Sequence, residues 1–388
     1  MTIIFGPGIS LGAGMQVLGP PPTNLWAWGS NDNGQLGLGD VANRSSPVQV
    51  GSLGNWSQIS AGSRMTSAIK TDGTLWAWGL GQDGVLGQGN TTSYSSPKQV
   101  GALTSWAVTS SGNPAIGAIK TDGTLWTWGR NGYGELGQGG TIYRSSPVQV
   151  GILTTWSKIA AATGAMAAIK TDGTLWSWGR NYVGQLGLGD KINRSSPVQV
   201  GVLTNWSTIS AATNSNSTTG SFIALKTDGT LWSWGDNTGA QLGLGTPSGY
   251  DTISRSSPTQ IGSLTTWGVG TIGDKFGFAI KLDGTFWTWG TAYSGDQADN
   301  RSLLAGWKGP TQVGALTNWW SAAKGASAGG RTGLAIKSDG TFWNWGNNVN
   351  GALGKNDTAN TSSPVQLGGL TTWISVSSFT SVLAIAGH

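Results

Sequence analysis

The nine residues TDGTLWAWG, Thr71 to Gly79, decide the fold, because close copies of them recur along the 388-residue chain. The copies begin at Thr121, Thr171, Thr227, Leu282 and Ser338, and a seventh, at Asn24, keeps only NLWAWG. Aspartate and glycine tolerate the positive φ of a tight turn, so Asp72-Gly73 predicts a β-hairpin. Side chains two apart in a strand share a face, which puts both tryptophans on one side and Ala77 against a neighbouring sheet.

The W-x-W-G part of this stretch marks seven units, at spacings of 50, 50, 50, 56, 55 and 56 residues. Each unit contains four segments that we expect to be strands, with SSPVQVG taken as the first. In one unit these are Ser45–Gly51, Trp56–Gly62, Met65–Lys70 and Thr74–Gly79. Pro47 predicts that the SSPVQVG strand lies at a sheet edge, because proline cannot donate to a ladder. The small residues of ISAG suit a crowded central axis.

Seven four-stranded sheets with aromatic motifs predict an all-β, seven-bladed β-propeller over residues 23–388. The final stretch SVLAIAGH, from Ser381, matches the strand that precedes the Asp-Gly turn elsewhere, and NLWAWG matches the strand that follows it. We therefore expect the N- and C-terminal strands to share the closing blade, with His388 beside Asn24. An open solenoid is the alternative, but the polar caps that it needs are not evident.

The composition argues against several function classes. Charged residues are 10% of the chain, the net charge is +5, and no run of Lys and Arg suggests a nucleic-acid surface. Cysteine is absent and His388 is the only histidine, so we expect no catalytic set, no metal site and no cofactor. The first 31 residues lack charge, but glycine and proline interrupt them, which fits neither a signal peptide nor a membrane helix.

The glycine-rich stretch NDNGQLGLGD, Asn31 to Asp40, has two possible ligands. A phosphate loop needs a helix after it, whereas serine and proline follow here. Asp32 and Asp40 could contribute to a calcium site, but the equivalents of Asp32 in other units include Gly132 and Tyr182. Turn formation is the favoured interpretation.

The stretches WGSNDNGQLGLGD from Trp28, WGRNGYGELGQGG from Trp128 and WGRNYVGQLGLGD from Trp178, each followed by SSP, resemble the regulator of chromosome condensation repeat. The resemblance implies a seven-bladed propeller with a split closing blade. The family pattern is weak in the seventh unit along the chain, which contains Trp343, and is lost in the sixth, which contains Trp287. The family's usual histidine in the strand before the Asp-Gly turn is missing. The wedge of its nucleotide-exchange member and the tryptophan motif of its ultraviolet photoreceptor have no match either.

The tryptophans follow the repeat. Fourteen of the 23 form the W-x-W-G pairs, seven precede the ISAG-type strand, and only Trp307 and Trp320 fall outside. This periodicity favours packing between blades. The alternative is a platform for stacking sugars, for which some of the second set would be exposed.

Three insertions break the repeat at Thr213–Gly220, Thr246–Ser254 and Thr291–Pro310, and loops on a rigid scaffold are common binding sites. Neutral drift is the competing explanation for these loops. The candidate binding residues in them are Asn214, Asn216, Tyr250, Asp251, Tyr293, Asp296, Arg301 and Trp307.

Residues 1–22 form an apolar arm rich in glycine and proline, which we expect to dock on a protein partner or on the propeller itself. The docking residues would be Ile3, Ile4, Phe5, Ile9, Leu11 and Val17. The stretch FGPGISLGAG is similar to the glycine-punctuated ends of tailed-phage virion proteins. The function that these observations favour is a non-enzymatic structural or interaction protein, a tail, fibre-associated or decoration component of a phage virion.

Two other functions stay open. A propeller lectin or adhesin would bind a host glycan through exposed tryptophans and the inserted loops. A regulator of a small GTPase is less favoured, because the wedge is missing. The location would be the virion, or else extracellular or cytoplasmic.

Overall fold

The computed structural model describes residues 23–52, 54–212, 220–245, 251–291, 307–320, 326–328, 332–378 and 380–387. They form seven four-stranded antiparallel sheets arranged as the blades of a ring, which confirms the predicted propeller. The described residues contain only two short 3-10 turns outside the strands, Gln82–Gly84 and Val349–Gly351. No helix in these ranges is long and apolar enough to cross a membrane.

We number the blades along the chain and name the strands of each blade from the axis outward. The inner strands of blades 1 to 7 are Trp56–Ala61, Trp106–Ser111, Trp156–Ala161, Trp206–Ala212, Trp267–Ile272, Ala326–Ala328 and Trp373–Ser378. The second strands are Met65–Lys70, Ala115–Lys120, Ala165–Lys170, Ser221–Lys226, Phe276–Lys281, Thr332–Ile336 and Ser381–Gly387.

The third strands, which carry the tryptophan pairs, are Leu75–Gly79, Leu125–Gly129, Leu175–Gly179, Leu231–Gly235, Phe286–Gly290, Phe342–Gly346 and Thr23–Gly29. The outer strands are Tyr94–Gln99, Arg144–Gln149, Arg194–Gln199, Arg255–Gln260, Trp307–Gln312, Thr361–Gln366 and Arg44–Gln49.

The closing blade is built from both ends of the chain, as expected. Its third strand, Thr23–Gly29, pairs along its whole length with Ser381–Gly387. The register differs from the prediction in one detail, because Asn24 lies opposite Ala386, and His388 lies outside the described residues. The Trp28 indole donates a hydrogen bond to the Ala352 carbonyl, which joins the closing blade to blade 6.

The prediction assigned one strand of each unit to the wrong blade. The SSPVQV strand is the outer strand of the preceding blade and not the first strand of the next one, because Trp26 pairs with Gln49 in one sheet. The glycine-rich stretch between the third strand and the SSPVQV strand folds as a tight loop. This loop reverses the chain, so that the SSPVQV strand pairs antiparallel with the third strand. The expectation that Pro47 lies on an edge strand is confirmed.

Small residues surround the axis, as the ISAG stretches predicted. The Ser111 amide donates to Ser60 Oγ at 2.8 Å, and the Ala161 amide donates to Ser110 Oγ at 3.0 Å. The inner strands enclose a narrow space of about 160 Å³. A Cβ on Gly62 would lie 2.8 Å from the Gly112 carbonyl oxygen, so the neighbouring blades leave no room for a larger residue there.

The two ends of the ring differ in the connections that they carry. Since neighbouring strands are antiparallel, the Asp-Gly hairpins and the connections between blades lie on one face, which we call the hairpin face. The glycine-rich loops and the turns between inner and second strands lie on the opposite face, which we call the loop face. The two faces hold the candidate sites.

Candidate functional site

In blades 1 to 5 and in blade 7, the second tryptophan of the pair donates a hydrogen bond to the preceding blade. Trp178 is fully buried, and its indole N–H donates to the Glu135 carbonyl of the preceding blade at 2.9 Å. The equivalent bonds run from Trp78, Trp128, Trp234, Trp289 and Trp28. Ala77, on the opposite side of its strand, packs in the next cluster with Trp106 and Trp128. The predicted role of these tryptophans in packing between blades is therefore confirmed.

The tryptophans before the inner strands are not exposed. All seven are at most 4% exposed, so the alternative in which some of them form an open platform for sugars is wrong. Each lies edge-on to the first tryptophan of a pair, as Trp156 does to Trp176. In six blades a lysine at the end of the second strand covers that pair, and Lys170 Nζ is 3.6 Å from the centre of the Trp176 ring. Burial lowers the pKa of Lys170.

The aspartates of the repeated phrase are turn residues. Asp172 Oδ1 accepts bonds from the Thr174 hydroxyl at 2.6 Å and from the Thr174 amide at 2.9 Å. The Thr174 hydroxyl oxygen in turn accepts the indole N–H of Trp176 at 2.9 Å. These hydrogen bonds from Thr174, with a smaller contribution from Lys170, hold the pKa of Asp172 below its usual value. The same arrangement recurs at Asp72, Asp122, Asp228, Asp283 and Asp339.

The glycine-rich loops satisfy their own polar groups. Asn31 Oδ1 accepts the Leu36 amide, and its Nδ2 donates to the Asp40 carbonyl and carboxylate. Asp40 Oδ2 also pairs with Arg44 at 2.5 Å. No group of three His, Cys, Asp or Glu side chains with the spacing of a metal site occurs among the described residues. Turn formation therefore accounts for Asp40, and no step of chemistry is assigned to these loops.

Two of the candidate loop residues turn out to belong to the regular repeat. Asp251 occupies the place of Asp40, because its backbone carbonyl accepts the Asn237 side chain and its carboxylate pairs with Arg255. Trp307 begins the outer strand of blade 5, opposite Gly290, so the third insertion ends before it. The sequence WKGPTQ had hidden its correspondence to RSSPVQ. The other six candidate loop residues lie outside the described residues.

The strands that flank the three insertions nevertheless lie in two neighbouring blades. The first joins the inner and second strands of blade 4, and the other two lie between third and outer strands of blades 4 and 5. All three connections therefore begin and end on the loop face of neighbouring blades. The arm residues 1–22 lie outside the described residues, but the strand that follows them begins at Thr23 on the hairpin face.

The hairpin face carries apolar side chains that the sequence interpretation missed. Among the described residues, the connections into blades 2 to 7 each present an exposed leucine, and two of them add a second large apolar side chain. Ile152 is 90% exposed and Val202 is 86% exposed. The leucines are Leu103, Leu153, Leu203, Leu264, Leu316 and Leu370. Next to Leu203, a groove of about 290 Å³ opens between blades 3 and 4, with Leu188, Trp232 and Pro258 among its walls.

The loop face holds a second feature that the sequence interpretation missed, a polar pocket of about 320 Å³ across blades 1 to 3. Its walls include Arg130, Arg180, Tyr133 and Glu135. Two arginines at the same place in consecutive units, and the only glutamate of the chain, were visible in the sequence as departures from the repeat. They were not recognised because their proximity depends on turns from three blades.

The repeat itself connects this geometry to known proteins. A family model described as the regulator of chromosome condensation (RCC1) repeat matches residues 24–69, 72–113, 122–169, 172–216, 228–278 and 339–379. The chain belongs to the RCC1 repeat family. The unmatched stretch between 278 and 339 contains the RCC1 unit whose glycine-rich loop is replaced by the third insertion.

Two curated relatives share part of this RCC1 propeller. The probable E3 ubiquitin-protein ligase HERC6 of Homo sapiens is 32% identical over 139 residues, which are 35% of this chain and 13% of HERC6. The mitochondrial RCC1 domain-containing protein RUG3 of Arabidopsis thaliana is 30% identical over 134 residues, 34% of this chain and 28% of RUG3. The chain thus matches less than a third of the length of either relative.

Solved structures match almost the whole ring. Human WBSCR16 has a TM-score of 0.80 at 18% identity, covering 94% of this chain and 99% of that one. Prp20p of Saccharomyces cerevisiae, described with its binding properties to Gsp1p and histones, has a TM-score of 0.80 at 18% identity, covering 95% and 92%. A further structure shows yeast RCC1 (Prp20) bound to Kap60. At these identities the likeness shows the fold alone.

Proposed function

We propose that this RCC1 propeller is a non-enzymatic protein-interaction module that docks through its hairpin face. The observation that carries the proposal is the set of exposed apolar side chains at one repeated position of that face, densest at Ile152 and Val202. Exposed apolar patches on a folded surface commonly mark interaction sites, because water gains by their burial. Binding of other proteins by Prp20 is consistent with this use of the fold.

The test removes the apolar character of the face without touching the blades. A variant with Ile152→Asp and Val202→Asp is compared with a control, Ile192→Asp and Ile253→Asp, on the loop face, where both residues are also well exposed. Each protein is cross-linked in an extract of the source organism, and the attached proteins are identified by mass spectrometry. We expect a protein captured by the parent and the control to be lost from the hairpin-face variant. Equal capture by all three would refute docking through this face.

We further propose that the protein on which this face docks is part of a tailed-phage virion. Support comes from the apolar, glycine-punctuated sequence of residues 1–22 and from the start of the following strand on the hairpin face. In this arrangement the arm and the apolar side chains dock together, and the loop face with its three insertions points outward, towards protein or host glycan. Mass spectrometry of purified particles should find the chain, and its absence from them would remove this assignment.

Regulation of a small GTPase is the second candidate function. The observation in its favour is the likeness in fold to Prp20p across 95% of this chain. The assay measures nucleotide release from a purified small GTPase of the source organism with and without the propeller. Acceleration would support this function, and an unchanged rate would leave docking as the proposed role.

A further inference from the structure

The polar pocket on the loop face combines three departures from the repeat. The residue after each W-x-W-G is arginine only in blades 2 and 3, as Arg130 and Arg180. In the other five blades the residues at this position are Ser30, Leu80, Asp236, Thr291 and Asn347. Three other glycine-rich loops have a glutamine at the position that Glu135 occupies in blade 2. Turns from blades 1 to 3 complete the walls of this pocket. Its volume of about 320 Å³ is in the range of small-ligand sites.

Arg180 is a buried cation with unused hydrogen-bonding capacity. Its residue is 9% exposed, and its Nε has no hydrogen-bond partner among the described residues. The guanidinium carbon lies 4.5 Å from the ring centres of both Tyr133 and Tyr182, which hold the group in place. Burying a charged donor without a partner costs free energy. An oxyanion that reaches this guanidinium would recover that cost.

Arg130 presents the same unused capacity from the neighbouring blade. Its Nε is also buried without a hydrogen-bond partner in the described part of the chain. Both arginines line the pocket, together with the exposed Arg64. Arginine favours carboxylate and phosphate because its planar donors match two oxygens at once. Two such groups in one pocket therefore favour an anion over a neutral ligand.

Glu135 limits how strongly an anion can bind. It is 2% exposed, and its Oε2 accepts the Tyr133 amide at 2.6 Å, just as Gln35 and Gln185 accept the equivalent amides in other blades. Burial raises the pKa of Glu135, while the amide bonds and the two arginines oppose that rise. No ion pair within 4.0 Å joins Glu135 to either arginine among the described residues, so Glu135 does not occupy their guanidinium groups. Counting Arg64 and Asp83, cations outnumber anions around the pocket by three to two.

We propose that this pocket is a carboxylate-binding site, in which Arg130 and Arg180 hold the two oxygens of a ligand's carboxylate. The carboxylate can come from an acidic side chain of a protein or from a small free acid. The proposal is independent of docking through the hairpin face, because the pocket lies on the opposite face.

The experiment measures binding of three probes by titration calorimetry. The probes are an acetylated and amidated hexaglutamate peptide, succinate, and a hexalysine peptide as the cationic control. Variants Arg180→Met and Arg130→Met each remove one cation from the pocket. Lys191→Met, which removes an exposed cation from the glycine-rich loop of blade 3, is the matched control.

We expect hexaglutamate or succinate to bind the parent protein and the Lys191→Met variant alike. Either arginine variant should weaken that binding at least tenfold. Tighter binding of hexaglutamate than of succinate identifies a protein side chain as the source, and the reverse identifies a small acid. No binding of either acid, a preference for hexalysine, or equal binding by the Arg180→Met variant would overturn the proposal.

A fourth variant separates a ligand-binding role from a structural one. Glu135→Gln restores the residue that other blades use and retains an acceptor for the Tyr133 amide. Removing the negative charge should tighten acid binding severalfold while the melting temperature stays near that of the parent. If acid binding is unchanged or weakened in a folded Glu135→Gln protein, the arginines do not hold the carboxylate.

Discussion

At the residue scale, contact with a tryptophan explains why one glycine recurs at the same place in the glycine-rich loops. Gly137 has φ +68°, and a Cβ there would lie 2.8 Å from the Trp178 indole nitrogen. The same relation holds between Gly37 and Trp78 and between Gly87 and Trp128. The glycine-rich loop is thus shaped to receive the tryptophan of the next blade. This is a packing requirement, and phosphate binding need not be invoked for it.

Alanine substitution separates this packing requirement from backbone strain. Gly137→Ala and Gly151→Ala place a side chain at similar φ values, +68° and +60°, but no atom lies within 4 Å of a Cβ at Gly151. Strain in the left-handed region costs about 1–2 kcal/mol in both variants. The clash with Trp178 should add about 1–3 kcal/mol for Gly137→Ala alone. Denaturant unfolding gives both values, and equal losses would show that Trp178 does not restrict the loop.

At the element scale, the Asp-Gly hairpin was predictable from sequence, but the blade to which the SSPVQV strand belongs was not. Asp72 and Gly73 determine their turn through local backbone preferences, which a short stretch reveals. Whether SSPVQV pairs with the strand before or after it depends on the path of the intervening loop. The Asn31 and Asp40 contacts that close this loop are visible only in the folded chain. The pocket was unpredictable for a similar reason, because turns and glycine-rich loops from three separate blades form it.

The hairpin aspartates make stability depend on pH. The pKa of each aspartate is lowered in the folded state. The main cause is the hydrogen bond from the hydroxyl of the threonine that follows two residues later in the sequence. Their stabilising contribution is therefore complete above the unfolded pKa of about 3.9 and is lost as the pH falls through the lower folded values. We expect the melting temperature to fall between pH 5 and pH 2.

A variant with asparagine at all six positions is the control for this prediction. Asparagine can accept the same hydrogen bonds but does not titrate in this range. Thermal unfolding followed by circular dichroism should show a weaker dependence on pH in that variant than in the parent. A pH dependence as steep as that of the parent would assign the effect to other carboxylates, such as Asp40 and Asp190, whose pKa values are also lowered.

At the scale of the whole molecule, one ring separates two candidate surfaces. The hairpin face has the exposed apolar side chains and the start of the chain's first described strand. The loop face has the arginine pocket and the strand ends that flank the three insertions. The ring that carries both faces is closed by pairing of the strands Thr23–Gly29 and Ser381–Gly387. The truncated first copy of the repeat, NLWAWG, had indicated that closure, and the register from Thr23 to Gly29 confirms it.

The most direct test of this closure is a disulfide across the joined ends. Thr23 and Gly387 are opposite each other in the closing sheet, and the natural chain has no cysteine, so Thr23→Cys with Gly387→Cys introduces a single possible bridge. Thr23→Cys with Thr171→Cys, which links the first strand to a hairpin of blade 3, is the control. Mild oxidation of the native monomer should give an intramolecular disulfide in the first variant and not in the second. Failure of the first pair to cross-link in folded protein, or equal cross-linking of both pairs, would contradict the closed ring.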